Sequence, residues 1–293
     1  MAEKTTQYYV PESSPWPLWA SVGLFLVAVG AGGFIQQSTG MSDANWGGAV
    51  LTIGSLWLIA VLFMWWRDAA LESLQGLHSE QMDKSYRQGM IWFIFSEVMF
   101  FAALFGALFY VRWLVIPWLG GAGDGVYTHE VLWPDFQAMW PLTRTPDGTT
   151  TQYMGAWGLP AINTAILIAS SITLSIAHHA LIANERGKLI FWHAATIVLG
   201  VVFISLQAYE YVYAYQELGL TLDAGIYGSL FFMLTGFHGI HVTIGTIFLI
   251  VLLLRVLNGH FTRENHFAYE AGAWYWHFVD VVWVFLFVVV YWL

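Results

Sequence analysis

Six ionisable side chains stand inside runs that are otherwise apolar: Glu97 in FIFSEVMFF, Glu210 in LQAYEYVYAY, His238 and His241 in GFHGIHVTIG, and His277 and Asp280 in WYWHFVDVVW. An acid or imidazole in such surroundings is costly, turns toward a protein interior or a polar path, and marks where function is to be sought. Three kinds of chemistry are open to such groups: holding or passing a proton, binding a metal, and fastening one helix to another by hydrogen bonds.

Glu97 lies about seven residues beyond the inner end of its apolar run, a depth of roughly 10 Å at the helical rise. At that depth its carboxyl is either a neutral acid or an anion with a partner. A structural or lipid-binding role is the stronger reading and a proton relay the weaker. His238 and His241, three residues apart, share a helix face near the bilayer midplane. A haem or zinc site needs further ligands at the same depth, whereas His178, His179, His193 and His277 fall nearer the inner surface. No metal is therefore expected. Gly236, Gly239 and Gly245 flank the pair, so close helix packing with hydrogen bonds across the contact is favoured. Glu210 is placed near the outer surface. His277 and Asp280, one turn apart, are expected to hydrogen-bond to each other.

The elements that carry these groups follow from composition. The 293 residues are 58% hydrophobic and 10% charged, against about 25% charged in a soluble domain. Aromatic residues make up 18%, with 17 Trp, as expected for rings at membrane interfaces. A helix needs about 20 apolar residues to cross the hydrocarbon core. Seven stretches qualify: Trp16 to Gln36, Trp46 to Trp66, Met90 to Val115, Pro160 to Ile182, Leu189 to Tyr211, Ile226 to Leu254 and Ala271 to Trp292. Lys4, Arg67, Lys84, Arg87, Arg186, Lys188, Arg255 and Arg263 then fall on one side, leaving only Arg112 and Arg144 at or beyond the other. The side rich in cations is the inner one, so the N-terminus is inside and the C-terminus outside.

The net charge of −9 arises from scarce Lys and Arg, and no basic patch suits a nucleic acid. The absence of Cys excludes disulfides, thiolate chemistry, iron–sulfur clusters and cysteine-bound zinc. Met1 to Ser14 has neither the apolar core of a signal peptide nor the Arg-rich character of a transit peptide. The outer loop, rich in Gly and Pro, is expected to be a folded cap or a mobile loop rather than a domain.

Beyond single residues, whole blocks carry a resemblance. These are SPWPL from Ser14, WWRD ending at Asp68, RQGMIWFIFSEVMFF from Arg87, INTAILIASS, AHH ending at His179, LQAYEY, GIYGSLFFMLTGFHGIHVTIGTIFLIVLLLR and FAYEAGAWYWHFVDVVWVFLFVVVYW. In this order they resemble the signature blocks of subunit III of haem–copper cytochrome c oxidase, over nearly the whole chain. Both initial helices, which shorter five-helix relatives lack, are present.

The resemblance implies an all-α integral membrane fold of seven transmembrane helices, in a two-helix bundle and a five-helix bundle separated by a lipid-filled cleft. The corresponding divisions are an N-terminal inner segment 1–15, a two-helix bundle 16–66, an inner loop 67–89, and a five-helix bundle 90–293 with outer loop 116–157. It further implies a non-redox subunit of an aa3-type oxidase, with no catalytic residue and no cofactor in this chain. Haem and copper are expected in partner subunits, oxidase subunits I and II as partners, cytochrome c as donor to the complex, and phospholipids as bound components. The implied role is to support proton uptake and to protect the catalytic subunit, with the cleft as an oxygen route. Glu97 matches the cleft-lining glutamate, and Trp65, Glu72, His78, Arg255 and His266 match lipid-contacting positions.

Two departures stand out: Tyr8, Tyr9 and Val10 replace a His-containing segment, and the outer loop is longer than in the mitochondrial form. The location implied is a bacterial inner membrane, with the mitochondrial inner membrane as the alternative. The rival readings are subunit III of a quinol oxidase or nitric oxide reductase, a stand-alone transporter, and a haem-bearing cytochrome using His238 or His241. A transporter calls for a polar pathway and inverted repeats, and neither is evident.

Overall fold

In hydrocarbon no water is available to the backbone, so apolar segments of this length close their hydrogen bonds internally as helices. The computed structural model describes residues 13–41, 43–77 and 80–293. Seven helices are long and apolar enough to cross a membrane. They are α1 Trp16–Ser38, α2 Gly47–Leu74, α3 Glu80–Tyr110, α4 Leu159–Ile182, α5 Arg186–Gln216, α6 Ile226–Leu257 and α7 Phe267–Leu286. Through a π-helical turn, Val111–Val115, α3 runs on to Leu119, and α7 ends in another, Phe287–Trp292. Among the described residues no strand forms beyond one isolated bridge, Arg144 to Thr150, so the expected all-α fold is observed.

Several helices outrun their apolar windows. Beyond Arg67, α2 continues to Leu74, and α3 starts at Glu80, ten residues ahead of its hydrophobic run at Met90. Hydropathy marks only the part immersed in lipid, whereas backbone hydrogen bonding carries a helix on through charged turns. A Glu80–Lys84 pair at 3.2 Å, one turn apart, supports the charged first turn of α3.

The chain divides into two compact units, Met1–Tyr86 and Arg87–Leu293. In the first, α1 and α2 pack as an antiparallel pair. Besides Ala20, their buried positions, Gly23 and Gly30 on α1 with Gly47, Gly54 and Val61 on α2, recur every seven residues and form a narrow stripe of small side chains. The backbones touch there: a Cβ on Gly30 would lie 2.3 Å from the Leu51 nitrogen, and one on Gly54 would lie 2.8 Å from the Val27 nitrogen. Such close approach is how membrane helices gain dispersion contact where lipid offers no hydrophobic drive. The Trp57 indole donates to the Trp19 carbonyl at 3.0 Å, and the Trp16 indole to Asp68 at 2.9 Å.

In the second unit α4, α5, α6 and α7 close into a ring, each helix packed on the next and α7 returning to α4. The most enclosed of the seven is α7. Its Trp276 is fully buried in a slot cut by two glycines, for a Cβ on Gly200 or Gly245 would approach the indole to 2.8 or 3.0 Å. The Trp276 N–H donates to Ser170 at 2.9 Å and the Trp283 N–H to Thr164 at 3.0 Å, which ties α7 to α4 at two levels. Arg186 at the start of α5 donates to the carbonyls of Val256 and Leu257, satisfying the last turn of α6.

The outer loop is a folded cap. It buries Phe136, Leu142 and Met154, hangs His129 and the Trp133 indole from the Leu119 carbonyl, and places Trp140 between Arg112 and Tyr227. In a turn of this cap the Thr145 hydroxyl and the Thr149 amide hold the exposed Asp147 carboxyl below its ordinary value.

The glycine stripe yields a test. Gly30→Leu should overpack the helix pair and lower stability by about 1–3 kcal/mol, seen as a lower melting temperature of the purified protein in detergent. Gly32→Leu, at a site with nothing within 4 Å of an added Cβ, should leave that temperature unchanged.

Candidate functional site

Although 144 residues apart in sequence, Glu97 of α3 and His241 of α6 meet with Oε2 and Nε2 2.9 Å apart. The other ring nitrogen, Nδ1, faces the Phe237 carbonyl at 2.6 Å. A carbonyl can only accept, so Nδ1 carries a hydrogen. A bare Nε2 facing a bare carboxylate oxygen would set two lone pairs against each other, so a proton lies between them. The pair is either an acid donating to an imidazole or an imidazolium donating to a carboxylate, and in both forms its net charge is zero. Phe101 packs against the ring at 5.0 Å, and the side chains of Glu97 and His241 keep 21% and 14% exposure. Glu97 is thus paired with His241, whether as the acid or as the anion.

His238 points elsewhere. Its Nε2 donates to the Val279 carbonyl of α7 at 3.1 Å, its ring lies against Trp283 at 4.9 Å, and its Nδ1 has no hydrogen-bond partner. The two histidines of one helix face therefore serve two different neighbours, both across helix contacts. Among the described residues no group of three or more His, Cys, Asp or Glu is placed to hold a metal.

The expected hydrogen bond between His277 and Asp280 is not formed. His277 turns instead to α4, where Nδ1 is hydrogen-bonded to the Ser171 hydroxyl and Nε2 lies 3.4 Å from that of Ser175. Neither oxygen of Asp280 completes a hydrogen bond. Residues at i and i+3 share a face, but a pair of serines arriving across the contact reaches the ring end-on, which a neighbour on the same helix does not.

Glu210 is fully enclosed by protein, where it accepts a hydrogen bond from Tyr291 at 2.7 Å in the closing turn after α7. The adjacent Tyr211 is hydrogen-bonded to Thr235 at 2.7 Å.

Of the positions matched to lipid contacts, His78 lies outside the described residues. Trp65 and Glu72 are half-buried on α2, two turns apart. The guanidinium of Arg255 lies over Phe261 at 4.6 Å, and His266 donates to the Thr262 carbonyl at 3.2 Å, with its ring 5.7 Å from that of His178. Arg87, at the foot of α3, pairs with Glu270 at 2.7 Å.

His193 plays a part that sequence reasoning did not assign. Its Nε2 donates to the Leu249 carbonyl and its Nδ1 accepts from Tyr269, both at 2.8 Å, so one buried imidazole joins α5, α6 and α7. The available signal was an imidazole four residues inside an apolar run, the same signal that singled out Glu97.

Residues 6–293 match the family model described as cytochrome c oxidase subunit III. The chain belongs to this family. Relatives named cytochrome c oxidase subunit 3 are 42% identical in Formosania lacustris, 41% in Cyprinus carpio and 40% in Danio rerio, each aligned over 100% of this chain and 99% of its own length. Subunit III is a subunit of an oxygen-reducing, proton-pumping complex and carries no haem or copper itself.

A double-mutant cycle measures the central contact of this subunit III. With Glu97→Gln, His241→Asn and the double variant, thermal unfolding in detergent should give a coupling energy of about 1.5–3 kcal/mol, as for a hydrogen bond to a charged group. Additive effects would mean that the two side chains do not share a proton.

Proposed function

We propose that this chain is the non-redox core subunit III of an aa3-type cytochrome c oxidase of the aerobic respiratory chain, seated in a bacterial inner membrane with its N-terminus in the cytoplasm. Oxidase subunits I and II are its partners, and cytochrome c donates electrons to the complex. Its work is to steady the catalytic subunit, to support proton uptake and to bind structural phospholipid.

The observation that carries this reading is the Glu97–His241 pair. It sits part-exposed beneath Phe93, Phe100, Ile240 and Ile244, all of which are exposed. Such a surface suits acyl chains, while the pair beneath it is neutral overall and so tolerable next to lipid. Arg255 and His266, with Trp65, Glu72 and His78, supply the charged and aromatic groups that headgroups take up at the membrane surface. The excess of Lys and Arg in the segments that flank the spans supports the orientation.

In the purified oxidase, Glu97→Ala should reduce tightly bound phospholipid and shorten the active lifetime during turnover while initial turnover stays unchanged. Unaltered lipid content together with unaltered lifetime would remove the reading. The absence of native Cys allows a direct test of orientation. A single cysteine at Asp147→Cys should react with an impermeant maleimide from the outer side only, and labelling from the inner side alone would invert the topology.

A further inference from the structure

Three cations of the second unit have oxygens to bond with. Arg87 pairs with Glu270, Lys188 with Glu185, and Arg186 donates to the carbonyls of Val256 and Leu257. Arg112, near the cap end of α3, has none: among the described residues its guanidinium makes neither an ion pair nor a hydrogen bond. Acids stand at this end of the spans as well, namely Asp124, Glu130, Asp135, Asp147, Glu217 and Asp223, yet none of them is brought to Arg112.

What Arg112 has instead is a pair of indoles. Its Cζ lies over the Trp113 ring and over the Trp140 ring, 5.5 Å from each centroid. Trp140 comes from the cap and meets Tyr227, in the first turn of α6, edge to face at 5.5 Å. Thus α3, the cap and α6 together build a cradle that fixes a part-exposed cation. Ring faces attract the positive charge through their quadrupole but offer no oxygen, so the N–H donors of the guanidinium are left for an acceptor from outside the chain.

The level of the cradle says where that acceptor comes from. Arg112 stands three residues before the end of the apolar run Met90 to Val115, about 5 Å inside its edge at the helical rise. Around it Tyr110, Trp113 and Trp118 are 60%, 65% and 43% exposed. A band of exposed rings at the end of a span marks the headgroup level of a bilayer. The anion abundant at that level is the phosphodiester of a phospholipid, and a guanidinium matches its paired oxygens.

We propose that Arg112, cradled by Trp113 and Trp140, binds the phosphodiester of a phospholipid in the leaflet at the cap end of the spans. The guanidinium gives the phosphate two parallel N–H bonds, and the acyl chains run down over the exposed Phe109 and Tyr110. The site lies at the opposite end of the spans from Arg255 and His266, so it rests neither on the Glu97 reading nor on which way the chain crosses the membrane.

Phospholipid retained by the intact oxidase after detergent washing, counted by native mass spectrometry, tests this. Arg112→Gln should hold one phospholipid fewer per complex than the wild type. Arg112→Lys, which keeps the charge without the two-pronged geometry, should hold that lipid but lose it at lower detergent. Where Arg112→Gln and Glu97→Ala each lose lipid, the losses should add in the double variant, and a loss no greater than either alone would mean a single shared lipid and no separate site. Loss in Arg112→Gln only would leave this site standing and remove the Glu97 reading, and loss in Glu97→Ala only would do the reverse. A free anion is the rival source. If delipidated wild type in inorganic phosphate gains a phosphate adduct that Arg112→Gln lacks, while both retain equal phospholipid, the site takes phosphate from solution and the proposal fails. It fails equally if Arg112→Gln keeps its phospholipid but sheds a neighbouring oxidase subunit, the sign of a partner's carboxylate. Should Arg112→Gln not assemble, a phospholipid with a photoreactive headgroup should label residues 110–118 of the wild type, and labelling confined to the surroundings of Arg255 would overturn the proposal.

Discussion

A polar atom inside a lipid-embedded protein has neither water nor lipid to bond with, so its partner must come from the protein itself, and this constraint organises the second unit. Most of the partners are supplied by α7 and the turn that closes it. Its Val279 carbonyl receives His238, Tyr269 bonds to His193, Tyr291 to Glu210, Glu270 to Arg87, and its two buried tryptophans donate to α4. Because the helix that comes last in the chain satisfies polar groups on α3, α4, α5 and α6, those helices remain incompletely satisfied until it is in place. Cooperativity in this unit thus rests on polar complementarity as much as on shape.

The first unit is held by a different device. Between α1 and α2 the contact is glycine against backbone, repeated every seven residues, with two indole hydrogen bonds along its length. Dispersion at close range suffices for a pair of helices that carries no buried ionisable group in the apolar part of its interface. Within the second unit, α3 follows a third pattern. It meets α6 and α7 through long aromatic side chains, Phe93 on Tyr275, Phe100 on Phe237 and Phe105 on Phe285. Besides the Arg87–Glu270 pair at the foot of α3, the Glu97–His241 contact is the polar fastening of that greasy surface, and its imidazole lets an acid persist at such depth without a metal or a Lys or Arg partner.

How much of this is legible in the sequence depends on whether a property is local. Seven apolar runs are local, and all seven became helices, several of them running on past the apolar window at one end or both. That Glu97, His238, His241 and Glu210 are costly in lipid, and so mark places to look, was legible in the sequence. Which partner each takes was not, because pairing between α3 and α6 has no periodicity to betray it. Ser171 and Ser175 were invisible for another reason: hydroxyl residues are common in membrane helices and mostly return their hydrogen to their own backbone. That same habit is what leaves the Ser175 oxygen only able to accept, and so orients His277 away from Asp280. Membership of the oxidase family was carried instead by contiguous blocks, a signal that owes nothing to pairing.

The placement of the acids also keeps them apart from one another. Along α7, Asp280 and the turn that holds Tyr291 against Glu210 are separated by Trp283, whose indole is committed to Thr164 and whose faces are covered by Phe203 and His238. An aromatic layer thus stands between Asp280 and Glu210. On the other side of the unit Glu97 has its own histidine, set apart from Asp280 by Phe101 and Phe278, which lie between α3 and α7. Glu210 has its phenol and Glu97 its imidazole, while Asp280 is enclosed with neither oxygen hydrogen-bonded, so the three acids occupy separate sites. Separate acids without a shared path suit a subunit that carries no haem or copper itself.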